Sequence, residues 1–497
     1  MNSGAIQSFL KGKSILVVGT TGFLAKVFVE KILRIQPEIQ KLYLLIRASN
    51  NDLAAQRLQN EVFQTDLFAL LRDKWSEKFD SFITEKVMAI AGDIAVENLG
   101  LKDENLKNTM FQEIDLIVNS AASTNFDERF DISMGVNTMG ALNVLNFAKK
   151  CYKIKLLVHI STAYVCGDEE EILQEKSFEM GQTLKGTSKL NIQTEMNLLE
   201  SKLAELRAMN ADENTITYAM KDYGIERANL HGWPNTYVFT KAMGEMLVVN
   251  QKDNIPLIII RPTMVTSTIR DPFPGWIEGV RTLDTVICGY GLGKLESFVG
   301  NPNTIIDIIP VDLVINCVIT AIVVHLDQAP KKFIYHISSS LRNPFKYFDV
   351  LNIMYYYFVK NPCTNQNGKP IVISKRLWIS SLATFNNYLT IRYVLLAKVL
   401  NLVSEMFFRL PQDHTYDNHK KYKMLQRWGK LYNPYGCFKA IFDDTNVENL
   451  RRMAKGYTKN EELDFDPTNI DWTNYMMNTH IPGLLKYAIK QSINSKL

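Results

Sequence analysis

The sequence predicts an α/β protein, a doubly wound parallel sheet with a smaller, mainly helical C-terminal domain, and three observations carry that prediction. A β-branched run at residues 14–18 leads into a turn with two glycines, Gly19 and Gly22, and then into a helix-period segment reaching Arg34. That is the βα unit that rests a diphosphate on a helix N-terminus. Strand-like and helix-like segments then alternate fivefold up to residue 160, which makes a parallel sheet of Rossmann type hard to avoid. The chain's 497 residues are also too many for one ordinary core. The expected parts are an extended Rossmann domain over 1–365, with an insertion at about 168–230, and a helical domain over 366–497.

In the opening turn, Gly19 permits the tight reversal, Gly22 lets backbone approach a pyrophosphate, and Ala25 lets the helix lie close to its strand. Thr20, Thr21, Phe23 and Leu24 complete the set of candidate cofactor contacts there. Residues 42–46 read as a second buried strand ending at Arg47. An acid at that place favours NAD and an arginine accommodates a 2′-phosphate, so Arg47 points to NADPH, although an exposed arginine needs no ligand. A helical segment at 53–71 and a third strand at 87–90 follow. Asp93, just past that strand, either bonds an adenine amino group or caps an ordinary turn. A fourth strand at 116–119 runs into Ser120-Ala121-Ala122, small enough to let a nicotinamide ribose pass close to Ala121. After a helix over 137–149, the fifth strand, 156–160, ends at Ser161 and Thr162, two hydroxyls at the sheet edge where such folds place their ligands.

Within the insertion, 198–209 is charged and amphipathic, either a solvated surface helix or, by its position, a lid or substrate wall. Then comes Trp233-Pro234-Asn235-Thr236-Tyr237-Val238-Phe239-Thr240-Lys241, in which Tyr237 and Lys241 stand one helical turn apart on the same face. A sixth strand at 257–260 runs into Arg261-Pro262-Thr263, with Pro262 as a further candidate cofactor contact. Beyond it the alternation fails: 271–276 is a proline-rich turn and 283–293 reads as glycine-punctuated loop. The longest apolar run, 305–326, holds Asp307 and Asp312, each costing about 2.5–3.5 kcal/mol near a membrane centre. It reads as a strand, Pro310 and a core helix. A late strand at 333–338 and a linker at 361–369 follow. Residues 376–410 are apolar and aromatic with basic residues interspersed, which suits a helical core, a membrane-surface helix or a channel wall.

A formal charge of +4 with no long basic run gives no argument for nucleic acid as a partner. The six cysteines are scattered without a C-x-x-C pair, which suits a reducing compartment and argues against a zinc site, and no other metal spacing stands out. Cys166, near the candidate site, reads as a small buried thiol. The first strand begins without a preceding signal or transit segment, so the chain is expected on the cytosolic side.

The chemistry follows from the constellation. A nicotinamide supplies hydride, and the protein must supply a proton and hold a carbonyl. Tyr237 can donate that proton, but an ordinary tyrosine pKa of about 10 is high for the task; Lys241 one turn away favours the phenolate and lowers it. Lys241 would also reach the nicotinamide ribose, while Thr162 or Ser161 would hydrogen-bond the carbonyl oxygen.

Several runs together resemble the plant-type alcohol-forming fatty acyl-CoA reductases, extended short-chain dehydrogenases with an appended C-terminal domain. They are Gly19-Thr20-Thr21-Gly22-Phe23-Leu24-Ala25, Val118-Asn119-Ser120-Ala121-Ala122, His159-Ile160-Ser161-Thr162-Ala163-Tyr164, the Trp233 to Lys241 run, Pro272-Phe273-Pro274-Gly275-Trp276 and Phe442-Asp443-Asp444-Thr445-Asn446. The resemblance implies reduction of a long-chain acyl-CoA to a primary alcohol with two NADPH, through a hemithioacetal and an aldehyde, in wax, suberin or cutin-type lipid metabolism. It implies Tyr237 as proton donor, Lys241 as its modulator, Thr162 as carbonyl partner, and Gly19, Gly22 and Arg47 as cofactor contacts. Thr20 stands where alanine is more usual, with its side chain expected to point outward. The resemblance further implies peripheral attachment to the cytosolic face of the endoplasmic reticulum, with the C-terminal apolar segments helping to bind the acyl chain. An aldehyde-forming reductase, a sugar-nucleotide or steroid dehydrogenase, and a silent NADPH-binding regulator are the alternatives.

Overall fold

The computed structural model describes residues 9–489 except 169, 187–188, 296, 327–330, 366, 375–376, 396–414 and 456–462. The chain forms two compact units: Met1–Gly279, Asp307–Asn343 and Ala440–Leu497 make the first, Val280–Ile306 and Pro344–Lys439 the second. This differs from the division at 365/366 expected from sequence, because the chain from Ala440 onward packs with the sheet.

The first unit is built on seven strands, β1 (Ser14–Val18), β2 (Lys41–Ile46), β3 (Val87–Ala91), β4 (Leu116–Asn119), β5 (Leu156–Ile160), β6 (Leu257–Pro262) and β7 (Lys332–Ile337). Their order is β7-β6-β5-β4-β1-β2-β3 and every pairing is parallel. β1, β4, β5 and β6 are buried along their whole length, as a parallel sheet covered on both faces requires. The helices that matter below are α1 (Phe23–Ile35), α2 (Glu104–Glu113), α3 (Gly140–Lys150), α4 (Ile192–Ala208), α5 (Glu213–Leu230), α6 (Thr236–Gln251), α7 (Val311–His325) and α8 (Thr445–Ala454). Leu16, Ile117, Leu157 and Ile259 of the sheet pack with Met110 of α2 and Val144 and Leu145 of α3 in one apolar cluster. The winding reverses between β1 and β4, so the open crevice of this fold lies beyond their C-terminal ends.

The helices of the insertion and α6 begin where sequence chemistry places them. Asn191, Asp212 and Asn235 each accept the backbone N–H three residues on, at 3.0, 2.8 and 3.1 Å, satisfying a donor that the helix itself leaves open. The insertion thus carries α5 as well as the α4 helix that the 198–209 segment announced. The 53–71 segment is not continuous: helix Asn51–Leu58 passes through a wide turn and breaks at Thr65, and Arg72 reaches back to the Phe63 and Thr65 carbonyls. The 305–326 run is a short strand, Ile308–Pro310, followed by α7, buried throughout. Its two aspartates hold loops. Asp307 accepts from Thr263, Ser339 and Ser340, and Asp312 from the backbone N–H groups of Ile269, Arg270 and Asp271.

In the second unit, strands Ser297–Val299 and Leu377–Ile379 pair in parallel. Val299, Ile379, Phe385, Leu389 and Leu425 form its core, so this part of the 376–410 segment is core, while 396–410 lies outside the described residues. The 283–293 stretch, expected as loop, is instead helix Thr282–Gly291. Its glycines serve close packing: a Cβ on Gly289 would meet the Leu295 side chain at 2.7 Å, and one on Gly291 the Phe358 ring at 2.4 Å.

Candidate active site

The glycine turn after β1 and the segment after β4 face one another across the switch point. Gly19 has φ +83°, and a Cβ there would lie 2.6 Å from the Ala121 backbone, so only glycine lets the two segments meet. Gly22 caps α1 with an extended backbone and no side chain on the first-turn N–H groups. Both features fit a dinucleotide: a tight glycine turn, and a helix N-terminus with donors to spare for a diphosphate. Thr20 differs from expectation. It is fully buried, and its hydroxyl donates to the Val17 carbonyl at 3.1 Å, turned inward, so only its backbone faces the turn.

A second brace holds α1 in place. Phe23 packs on Trp276 with ring centroids 5.5 Å apart, and Lys26 and Lys31 pair with Glu278 and Asp271. The proline-rich turn therefore secures the helix whose N-terminus forms the cradle. Arg47 and Asp93 lie past the ends of β2 and β3 on the same sheet edge; Arg47 is exposed, and Asp93 Oδ1 accepts the Ala95 N–H at 2.9 Å.

The hydroxyl and amine groups gather beyond β5 and β6. Lys241 is buried and donates to the Ile160 carbonyl at 2.6 Å. Burial pushes its pKa down to about 8, against the opposing effect of Glu245. Thr162 Oγ1 donates to the Pro262 carbonyl and accepts the Tyr164 N–H, both at 3.4 Å. Ser161 Oγ is buried and has no hydrogen-bond partner among the described residues. Tyr237, in the first turn of α6, is half-buried, with its ring stacked on Phe126 at 6.0 Å. Trp233 ties the two elements together by donating to the Val165 carbonyl at 2.8 Å.

Residues given no role from the sequence support this group. Asn119 Oδ1 accepts the Ala121 N–H at 3.3 Å, so its amide donates to His159 Nδ1, also at 3.3 Å. Burial and the Lys241 charge hold the His159 pKa well below its usual value, leaving it a neutral ring. Asn137 accepts the Ser123 N–H at 2.9 Å and donates to the Ser123 carbonyl and Thr240 Oγ1, both at 3.0 Å. One turn beyond Lys241, Glu245 forms a fully buried pair with Arg261 at 2.6 Å. Burial alone would lower the arginine's pKa, but Cys166 and Glu245 raise it, and the guanidinium stays charged. The signal for it was a Glu in an otherwise apolar helix and an Arg closing an apolar strand. Among the described residues no group of three or more His, Cys, Asp or Glu is arranged to hold a metal.

A cradle for a dinucleotide and a Tyr-Lys helix beside two hydroxyls are shared by many reductases, and comparison with known proteins narrows the choice. Family models described as male sterility protein match residues 17–318, as an NAD-binding domain, and 392–491. The "Probable fatty acyl-CoA reductase 4" of Arabidopsis thaliana is 50% identical over 99% of this chain and 100% of its own length. The chain belongs to the fatty acyl-CoA reductase family. Another member of the family, the "Alcohol-forming fatty acyl-CoA reductase" of Simmondsia chinensis, is 47% identical over 98% of this chain and 99% of that protein. Among solved structures, the terminal R domain of the myxalamid pathway superposes with TM-score 0.57 at 16% identity, covering 96% of this chain and 91% of that one. The R domain of a Mycobacterium tuberculosis nonribosomal peptide synthetase gives 0.56 at 18%, covering 97% of each. These two share the fold of this chain.

Proposed function

We propose that this chain is an NADPH-dependent fatty acyl-CoA reductase that carries its product to the primary alcohol. The observation that carries the reading is the buried Lys241 ammonium bonded to the Ile160 carbonyl, directly before Ser161 and Thr162 in the chain, with Tyr237 one turn earlier on the same helix, in a chain about half identical to such reductases along its whole length. When bound, the nicotinamide supplies the hydride. Gly19 through Leu24 would flank the diphosphate and Ala121 and Pro262 the nicotinamide end of the cofactor, with Asp93 toward the adenine and Arg47 toward a 2′-phosphate, the basis for preferring NADPH.

Thr162 and Ser161 would hold the carbonyl oxygen, and the unpartnered Ser161 hydroxyl is a donor with no competing bond to break. Tyr237 would give up its phenolic proton to the developing alkoxide, with the Lys241 ammonium stabilising the phenolate that remains. Collapse of the hemithioacetal expels CoA thiolate and leaves an aldehyde, and a second NADPH and proton complete the alcohol. The substrate is a long-chain acyl-CoA. Among the described residues no helix is long and apolar enough to cross a membrane. Exposed Ile391 and Leu395 beside Arg392 in the second unit support peripheral contact with the cytosolic face of the endoplasmic reticulum.

The test is NADPH oxidation by purified protein with saturated acyl-CoAs of several lengths, with lipid products identified. Fatty alcohol with two NADPH consumed per acyl-CoA is expected. NADPH binding without turnover of any acyl-CoA, in detergent or lipid, would overturn the substrate assignment.

A further inference from the structure

The segment 123–129, which follows β4 and Ala121, is pinned at both ends and lies against Tyr237 between them. At its start, Ser123 is held through both backbone groups by Asn137, whose amide also reaches Thr240 of α6. At its end, Arg129 pairs with Asp131 at 3.0 Å and with Glu213 at the start of α5, while Asp127 faces Lys221 of α5 at 3.7 Å. Between these anchors Phe126 lies against the Tyr237 ring, centroids 6.0 Å apart and planes 23° from parallel, within the range of a favourable aromatic contact. The insertion helix α5 thus braces a loop whose one aromatic side chain lies against the ring of the tyrosine proposed to protonate the substrate.

We infer that Phe126 is a specificity-determining residue, a wall beside Tyr237 that keeps the aldehyde in place for its second reduction. The inference rests on the reductase reading above. The two reductions differ in what holds the substrate. In the first, the acyl group is tethered to CoA, whose nucleotide and phosphates bind far from the carbonyl. After the thiolate leaves, the aldehyde keeps only its carbonyl hydrogen bonds and the apolar contacts along its chain. A wall at the first carbons therefore bears mainly on the second step, since its loss removes a larger share of what holds the aldehyde than of what holds the thioester.

The test measures aldehyde, trapped as its hydrazone, and alcohol from one acyl-CoA in wild type, Phe126→Ala and Phe126→Leu, with NADPH consumed per acyl-CoA counted. In Phe126→Ala the aldehyde-to-alcohol ratio is expected to rise about tenfold, the factor that ~1.4 kcal/mol of lost retention represents, and the NADPH count to move from two toward one. Phe126→Leu, which keeps an apolar wall, is expected to return most of the product to alcohol. An unchanged ratio in Phe126→Ala overturns the inference, whether overall turnover is kept or reduced, and so does loss of all product in both variants, since the residue would then not act mainly on the second step. So does an equal rise in both variants, since the wall's apolar bulk would then not matter. If wild type consumes no acyl-CoA, the reductase reading itself falls and the inference falls with it.

Discussion

Lys241 meets two opposing demands. Its ammonium is needed to draw the Tyr237 phenol toward ionisation, yet burial lowers its pKa from the ordinary lysine value to about 8, with Glu245 acting against the shift. The sign of the pH dependence follows. Below about 8 the amine is charged and can stabilise a phenolate; above it the charge is lost. The kcat/KM of the free enzyme is therefore expected to fall as pH rises through about 8, and a profile flat from pH 7 to well above 9 would remove Lys241's charge from the mechanism. Tyr237→Phe asks the companion question. Loss of the proton donor is expected to lower kcat by about 10²–10⁴-fold while NADPH affinity, read by fluorescence titration, stays near wild type. Wild-type turnover in that variant would assign the proton to another group.

At the scale of the element, α6 is the device that presents both groups. Its first turn carries Tyr237, its second Lys241, its third Glu245, and its start is set by the Asn235 side chain on the Val238 N–H. Asn235→Ala is expected to cost about 1 kcal/mol, seen as a lower Tm. Because the freed turn is the one bearing Tyr237, kcat is expected to drop more than KM rises; an unchanged Tm and kcat would show the cap to be idle. The i to i+4 spacing of this element was legible beforehand, as was the glycine turn after β1, because both are local signals; the Asn235 cap was not read from the sequence. What stayed hidden depends on contacts far apart in sequence. Gly289 and Gly291 read as loop punctuation because Leu295 and Phe358, which fill the space a side chain would need, are not recognisable as their neighbours from spacing. Thr20 read as outward because its partner, the Val17 carbonyl, lies in the strand behind it. The approach of Phe126 to Tyr237 spans 111 positions in the chain, and no periodicity announces it.

For the whole molecule, the informative fact is that the C-terminal segment from Ala440 belongs to the sheet unit. Strand Ile441–Phe442 pairs with Ile172–Leu173 of the insertion. Asn446 bonds the Ile334 carbonyl of the edge strand β7 at 3.0 Å, and its backbone N–H shares Glu175 with that of His336. Further on, Tyr475 and His480 bond Ser267, and a Cβ on Gly483 would lie 1.9 Å from the Gly275 carbonyl oxygen. The segment therefore seals the edge of the sheet and backs the turn that braces α1. Its buried Phe442, Leu450, Phe465, Trp472, Tyr475 and Leu484 each contribute about 1.5–3 kcal/mol by burial. Six such side chains rival the whole net stability of a domain, about 5–15 kcal/mol, so this unit cannot be whole without them. A chain ending at residue 439 is accordingly expected to lose its cooperative melting transition and its NADPH binding together. If that truncated chain is soluble, melts in one transition and binds NADPH as the full chain does, then residues 440–497 are an addition to a self-sufficient sheet, and the boundary near 365 regains its claim.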